Sequence, residues 1–317
     1  MSRLAVIAIG GNSLVENATC QSVAGEQKAL QETAIHIVEM ILRGWQVVLT
    51  HGNGPQVGLI LLQAEIARKE LDYTISVDIA VAESQGSIGY ALQQALSNEL
   101  RRRSLNKQVV ALLTHTLVDP DDPAFQQPSK PIGPFYTATE AEQKQREYGW
   151  AMMEDAGRGW RRAVPSPHPC QIMESEAIAH MLQAGLIVIS AGGGGIPVII
   201  DTYGTLIGTQ AVIDKDLASS LLASTLQADL LLISTGVEKV ALNYHGPNQQ
   251  DLSKLTLSEI LRYFNEGHFA RGSMEPKICA AIEYLQNGGK AVLITRPEAI
   301  TQALDGKTGT WIFPDSR

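Results

Sequence analysis

Cysteine is scarce in this chain: Cys20, Cys170 and Cys279 are the only three in 317 residues. Their odd number and wide spacing exclude a disulfide framework and a C-x-x-C metal pair. No stretch of about 18 consecutive apolar residues occurs, which excludes a membrane-spanning helix on length. The first residues read directly as a strand, without a basic segment and apolar core ahead of it, so a cytoplasmic protein is the expectation. Positive charge is short as well, since 25 Lys and Arg stand against 33 Asp and Glu and leave a net charge of −8. Broad adhesion to nucleic acid or to anionic membrane is thereby excluded, and an anionic ligand must be held by a few individually placed lysines. The 7 histidines show no H-E-x-x-H or related spacing, so no metal-ligand set is spelled out.

What the chain does contain is glycine directly after apolar runs. Residues 4–9 are continuously apolar and are followed by Gly10, Gly11 and Asn12. Val47, Val48 and Leu49 run into Thr50, His51, Gly52, Asn53, Gly54 and Pro55, and residues 186–190 run into Gly192, Gly193, Gly194 and Gly195. Each reads as a buried parallel strand whose carboxyl end opens into a backbone without Cβ atoms, where N–H groups can reach an anion. A flexible loop is the bland alternative at any single site. In open α/β sheets ligands collect beyond the carboxyl ends of strands, so three such turns can share one site.

With 44% hydrophobic residues the chain can bury a large core, as one big α/β domain or two coupled lobes. Helical spacing runs over residues 24–43, 81–103, 174–184, 214–226 and 274–286, and further strands are expected at 109–113, 229–234 and 291–295. This alternation predicts a doubly wound, mainly parallel sheet. Between residues 119 and 169 the texture changes, with eight of the 14 prolines in that stretch. Such crowding predicts a small inserted subdomain that protrudes from the sheet and presents Lys130 between rigid flanks.

Asp214 and Asp216 bracket Lys215 at an expected helix start, where carboxylates serve as caps and suit the positive helix end. A lysine there is electrostatically disfavoured unless the aspartates or an anionic ligand compensate. Ser273 is expected to cap the next helix, with Pro276 in its first turn. Lys277 alone reads as a solvated helix lysine; beside Lys130 and Lys215 it becomes a third cation for a phosphoryl group in transfer. His51 reads as a structural imidazole bonding backbone. Glu154 and Asp155 read as ion-pair partners of Arg158, Arg161 and Arg162.

The blocks AIGGN, THGNGPQVG, SQGSIGY, KPIGPF, EDAGRGWRRAVPSP, GGGGIPV, VIDKDLAS and GSMEPK, in order along nearly the whole chain, resemble the carbamate kinases of the amino acid kinase family. The resemblance implies a three-layer αβα sandwich, an open mainly parallel sheet, a protruding subdomain at 119–169, and a homodimer. It implies ATP or ADP with Mg²⁺, and phosphoryl exchange with carbamate or carbamoyl phosphate. On it, Lys130, Lys215 and Lys277 are the catalytic lysines and Asp216 organises the latter two. Gly10, Gly11, Asn12, Gly52 and Asn53 match the carbamate and phosphoryl site in the N-terminal half. Gly193, Gly194, Asp214, Tyr244 and Met274 match the nucleotide side in the C-terminal half. Many amino acid kinases carry a lysine where this chain has Ala8, and its charge is then supplied by Lys130. Carbamate is already an oxyanion, so no general base is required. A kinase for another small carboxylate or phosphonate, and a non-catalytic nucleotide sensor, are the alternatives.

Overall fold

A computed structural model of the chain describes residues 3–10, 23–71, 74–155, 157–270 and 272–315. The expected site residues Gly11 and Asn12 lie outside them. An eight-stranded sheet forms the centre, in the order Lys254–Thr256, Thr310–Phe313, Val292–Thr295, Leu230–Ser234, Arg3–Ile9, Trp45–His51, Ile187–Ile189 and Val109–Ala111. Its pairings are parallel except between Val292–Thr295 and Thr310–Phe313. The helices are α1 (Val23–Leu42), α2 (Gly54–Leu71), α3 (Val77–Arg102), α4 (Ala138–Tyr148), α5 (Ser175–Gln183), α6 (Lys215–Thr225), α7 (Leu257–Asn265), α8 (Glu275–Gln286) and α9 (Ile300–Leu304).

Continuous apolar strands follow from a sheet covered on both faces. Ala5, Ile7 and Ile9 enter one core with residues of α1, α3 and α9, whereas Val6 and Ala8 enter a second core with residues of α5, α6, α7 and α8. The same alternation sends Leu230 and Leu232 to the first core and Leu231 and Ile233 to the second. Three layers, helix on sheet on helix, are the result.

α2 is a helix that the sequence pattern did not show. Val57, Gly58 and Leu61 are buried, while Leu59, Ile66 and Leu71 are exposed, so the apolar residues surround the helix instead of marking one face. A four-stranded sheet, ordered Leu206–Gly208, Ile196–Ile200, His115–Val118 and Pro169–Ile172, was likewise not expected. Between its strands His115–Val118 and Pro169–Ile172, the chain makes a small antiparallel sheet of Lys130–Tyr136, Trp160–Val164 and Ala151–Glu154. α4 accompanies it, with a capping box between Thr137 and Glu140. Asp155 pairs with Arg158 at 3.1 Å and Arg161 at 3.0 Å, but Arg162 lies over the Trp150 ring, 4.6 Å from its centroid, and Glu154 is exposed.

Candidate active site

Carboxyl ends of central strands and the starts of three helices, α2, α6 and α8, meet in one cleft. It is lined by Gly52, Asn53 and Gly54, by Lys130, by Gly193, by residues 212–216, and by Gly272, Ser273, Pro276 and Lys277. Its volume is about 160 Å³, enough for a small oxyanion.

α6 begins at Lys215 because Asp214 caps it, accepting the Asp216 amide at 2.9 Å. The second oxygen of Asp214 accepts from the Lys130 ammonium, which arrives from the small antiparallel sheet. Asp216 receives Lys215 on Oδ1 and Lys277 on Oδ2, the latter at 3.1 Å. Three ammonium groups and two carboxylates thus form one network with a net charge of +1 (three positive, two negative), and both aspartates and Lys215 are buried. The surplus positive charge and the α6 N-terminus together favour an anion in the cleft.

The charges are tuned by burial and by each other. Burial opposes ionisation of Asp216, but Lys215 and Lys277 outweigh it and hold the carboxyl far below the usual range. Asp214 is opposed by burial and by Asp216, yet is held low by Lys130. Burial lowers the pKa of Lys215 in spite of Asp216, and Lys277 adds to the lowering. For Lys277, burial is overcome by Asp216 and the pKa is raised. Two neighbouring lysines therefore differ in how firmly they keep their protons.

The glycine turn after Ile187–Ile189 is more constrained than a bare loop. Gly194 N–H donates to the Ala191 carbonyl at 3.0 Å and Gly195 N–H to Gly192 at 3.1 Å, so two of the four expected anion-binding amides close the turn itself. Ala191 sits at φ 47°, tied by its N–H to Thr114 Oγ1 at 3.0 Å. Buried Gln85 of α3 donates to the Gly192 carbonyl at 2.9 Å and accepts the Thr114 amide. Gly193 has φ 66°, and a Cβ there would collide with the Asn53 side chain, so the turn and Asn53 share one space. Asn53 donates to Ser84 Oγ at 2.9 Å, and Thr50 bonds Ser219 of α6 at 2.6 Å. Gln85, Ser84, Thr50 and Ser219 are supporting residues missing from the sequence-derived site, although each lies inside one of the blocks SQGSIGY, THGNGPQVG and VIDKDLAS.

Other expected positions stand back from the cleft. Gly10 donates to the Ser234 carbonyl at 3.0 Å at the strand end. Gly194 is buried and its carbonyl accepts from Thr116 Oγ1 at 2.8 Å. Tyr244 is 52% exposed and lies against His245. Met274, not Ser273, is the N-cap of α8, with no side-chain cap bond, while Pro276 does lie in the first turn.

His51 is buried, with Nδ1 3.0 Å from the Gly52 carbonyl, and burial drives its pKa from 6.5 to about 4, so the ring is neutral at pH 7. Because the folded pKa is depressed, the unfolded chain takes up the proton first as pH falls. Stability from this residue is complete above about pH 6.5 and is lost on acidification toward pH 4, by roughly 3 kcal/mol. Urea titrations of wild type and His51→Gln at pH 7 and pH 4.5 should show a smaller acid loss in the variant; equal losses would contradict the assignment.

A profile of the amino acid kinase family matches residues 3–296. Carbamate kinase from Pyrococcus horikoshii is 47% identical over 315 residues, covering 99% of this chain and 100% of that protein. Carbamate kinase-like protein YahI from Escherichia coli is 46% identical over 315 residues, covering 99% of each. Among solved structures, carbamate kinase from Giardia lamblia bound to AMP-PNP superimposes with a TM-score of 0.91 at 42% identity, covering 99% of both chains.

Proposed function

The chain belongs to the amino acid kinase family, and from that membership we propose that it moves a phosphoryl group reversibly between carbamoyl phosphate and ADP, giving carbamate and ATP. The observation that carries this reading is the convergence of three ammonium groups on a glycine-bordered cleft, in a chain whose whole length matches carbamate kinases. Phosphoryl transfer asks for positioning and charge neutralisation more than for proton transfer. The cleft suits that demand, and the neutral His51 ring is not needed as a base.

In this reading Gly52 and Asn53 border the carbamate and transferred group, and Gly10, Gly11 and Asn12 are assigned to the same site by the likeness to carbamate kinases alone. Lys130 and Lys215 neutralise its oxygens, and Lys277 attends the nucleotide phosphates. Asp216 fixes the directions of Lys215 and Lys277, and Asp214 that of Lys130. Gly193 and Gly194 shape the nucleotide side, and Tyr244 and Met274 border the rest of the nucleotide. The segment 119–169 acts as a protruding subdomain that brings Lys130 to the cleft.

Mg²⁺ fits as an ion carried in by the nucleotide. Among the described residues no group of three His, Cys, Asp or Glu side chains can hold a metal, and Asp214 and Asp216 are engaged by lysines. These two carboxylates could supply at most a small part of its oxygen shell, leaving phosphate and water for the rest. When bound, the ion would supply positive charge against the phosphates, in addition to that of Lys130, Lys215 and Lys277.

The protein is further proposed to be a cytoplasmic homodimer. Support for pairing is the edge position of Val109–Ala111 in the central sheet of the described residues, beside Tyr90 and Leu113, which are 65% and 53% exposed. None of the described helices is long and apolar enough to cross a membrane.

Mixing the purified protein with carbamoyl phosphate, MgADP and a luminescent ATP readout should yield ATP in step with carbamoyl phosphate consumed, and much less with acetyl phosphate or a phosphonate. Tight ADP binding without consumption of carbamoyl phosphate would contradict the reading and favour a nucleotide sensor.

A further inference from the structure

Helix α2 touches the cleft at its first residue and the small antiparallel sheet one turn later. It begins at Gly54, directly after Gly52 and Asn53. At Gly58 its backbone lies against the backbone of Gly133, so closely that a Cβ on Gly58 would overlap the Gly133 Cα and N. Gly133 belongs to the strand Lys130–Tyr136, three residues beyond Lys130, and has φ 78°. Its carbonyl accepts from Arg161 Nε at 3.0 Å, and Arg161 is in turn held by Asp155. Around the contact Val57 and Leu61 of α2 join Ile132 and Val164 in one apolar cluster. A glycine inside a helix costs about 1 kcal/mol relative to alanine. Here the missing side chain permits a direct backbone contact that no other residue allows.

We infer that Gly58 and Gly133 are positioning residues, forming a seat that sets how deeply the Lys130-bearing strand docks on the helix whose start borders the cleft. Through it the Lys130 ammonium and the Gly52–Asn53 turn share one rigid reference. A methyl group at position 58 drives the strand outward and draws Lys130 away from Asp214. Misplacement of a reacting group by about 1 Å costs on the order of 10²-fold in rate. The kinetic readout of this inference rests on the phosphoryl-transfer reading above; its structural readout does not.

The experiment compares wild type, Gly58→Ala, Lys130→Ala and the double variant as full chains, with steady-state kinetics and hydrogen exchange. In Gly58→Ala, kcat/KM for carbamoyl phosphate should fall at least about tenfold, with KM for ADP near wild type. Amides of Lys130–Tyr136 and Trp160–Val164 should exchange faster while those of Arg3–Ile9 stay protected. The double variant should be no worse than Lys130→Ala, because the position of an absent ammonium cannot matter. Alanine strengthens α2 itself, so folding should persist. If Gly58→Ala does not fold, Ile132→Ala loosens the same seat and should show the same non-additivity. Unchanged exchange and kinetics, or effects that multiply fully with Lys130→Ala, would overturn the seat. Absence of ATP formation by wild type would count against the functional reading, and the exchange data alone would then decide the seat.

Discussion

Replacing Lys215 by Ala is expected to lower kcat by roughly 10²-fold or more, the usual loss when one preorganised charge contact to a transition state is removed. The size follows from placement. Lys215 is buried at the first turn of α6, aimed by Asp216 beside a cleft that already carries Lys130 and Lys277. No reorganisation is required as charge develops on the transferred group. The substitution should leave folding largely intact, because Asp216 keeps Lys277 as partner and the burial of one ammonium is relieved. Steady-state kinetics with a thermal melt check this. Near-normal turnover in a folded variant would remove Lys215 from the mechanism.

Asp216→Asn should have the larger effect on stability. Asp216 is 2% exposed and its carboxylate is the counterion of Lys215 and Lys277. An amide leaves two lysines in the cleft with their main partner neutralised, and breaking a buried pair this way costs about 3–5 kcal/mol. The pH dependence has a definite sign. The folded-state pKa of Asp216 is depressed, so its stabilisation is present above the unfolded carboxylate range and is lost as acid titrates it. That acid-side loss should be absent from the variant. Lys215, already lowered by burial, loses the carboxylate that supports its proton and falls further. The charged form then survives best at lower pH, and the activity of Asp216→Asn relative to wild type should rise as pH is lowered over the interval in which both stay folded. Relative activity that instead falls over that interval would contradict the role given to Asp216.

Much of the framework was legible because local rules and tertiary packing agree. Residues 4–9 could be read as a central strand, since every side chain on either face enters a core. The start of α6 was legible from Asp214 and Asp216, as capping is a contact between near neighbours. The partner of Lys130 was not legible, because the two residues lie 84 positions apart and meet only when the small sheet docks. For the same reason Gly58 drew no reading of its own beyond closing the block THGNGPQVG, and only the approach of Gly133 gives it a purpose. α2 escaped because exposed Leu59, Ile66 and Leu71 blur the apolar face marked by Val57 and Leu61, and Ser273 was misread as a cap because Met274 occupies that position in helical geometry. The glycine run exposes less backbone than its composition suggests, since the tight turn uses its own amides.

A crystal structure of the protein with Mg²⁺ and a non-hydrolysable ATP analogue tests most directly whether these cations serve one migrating group. The terminal phosphate should lie within about 3 Å of the Lys215 ammonium, with Lys277 on the neighbouring phosphate and Gly193 alongside. Phosphates bound elsewhere, with Lys130, Lys215 and Lys277 still locked on Asp214 and Asp216 and touching no ligand, would contradict the account.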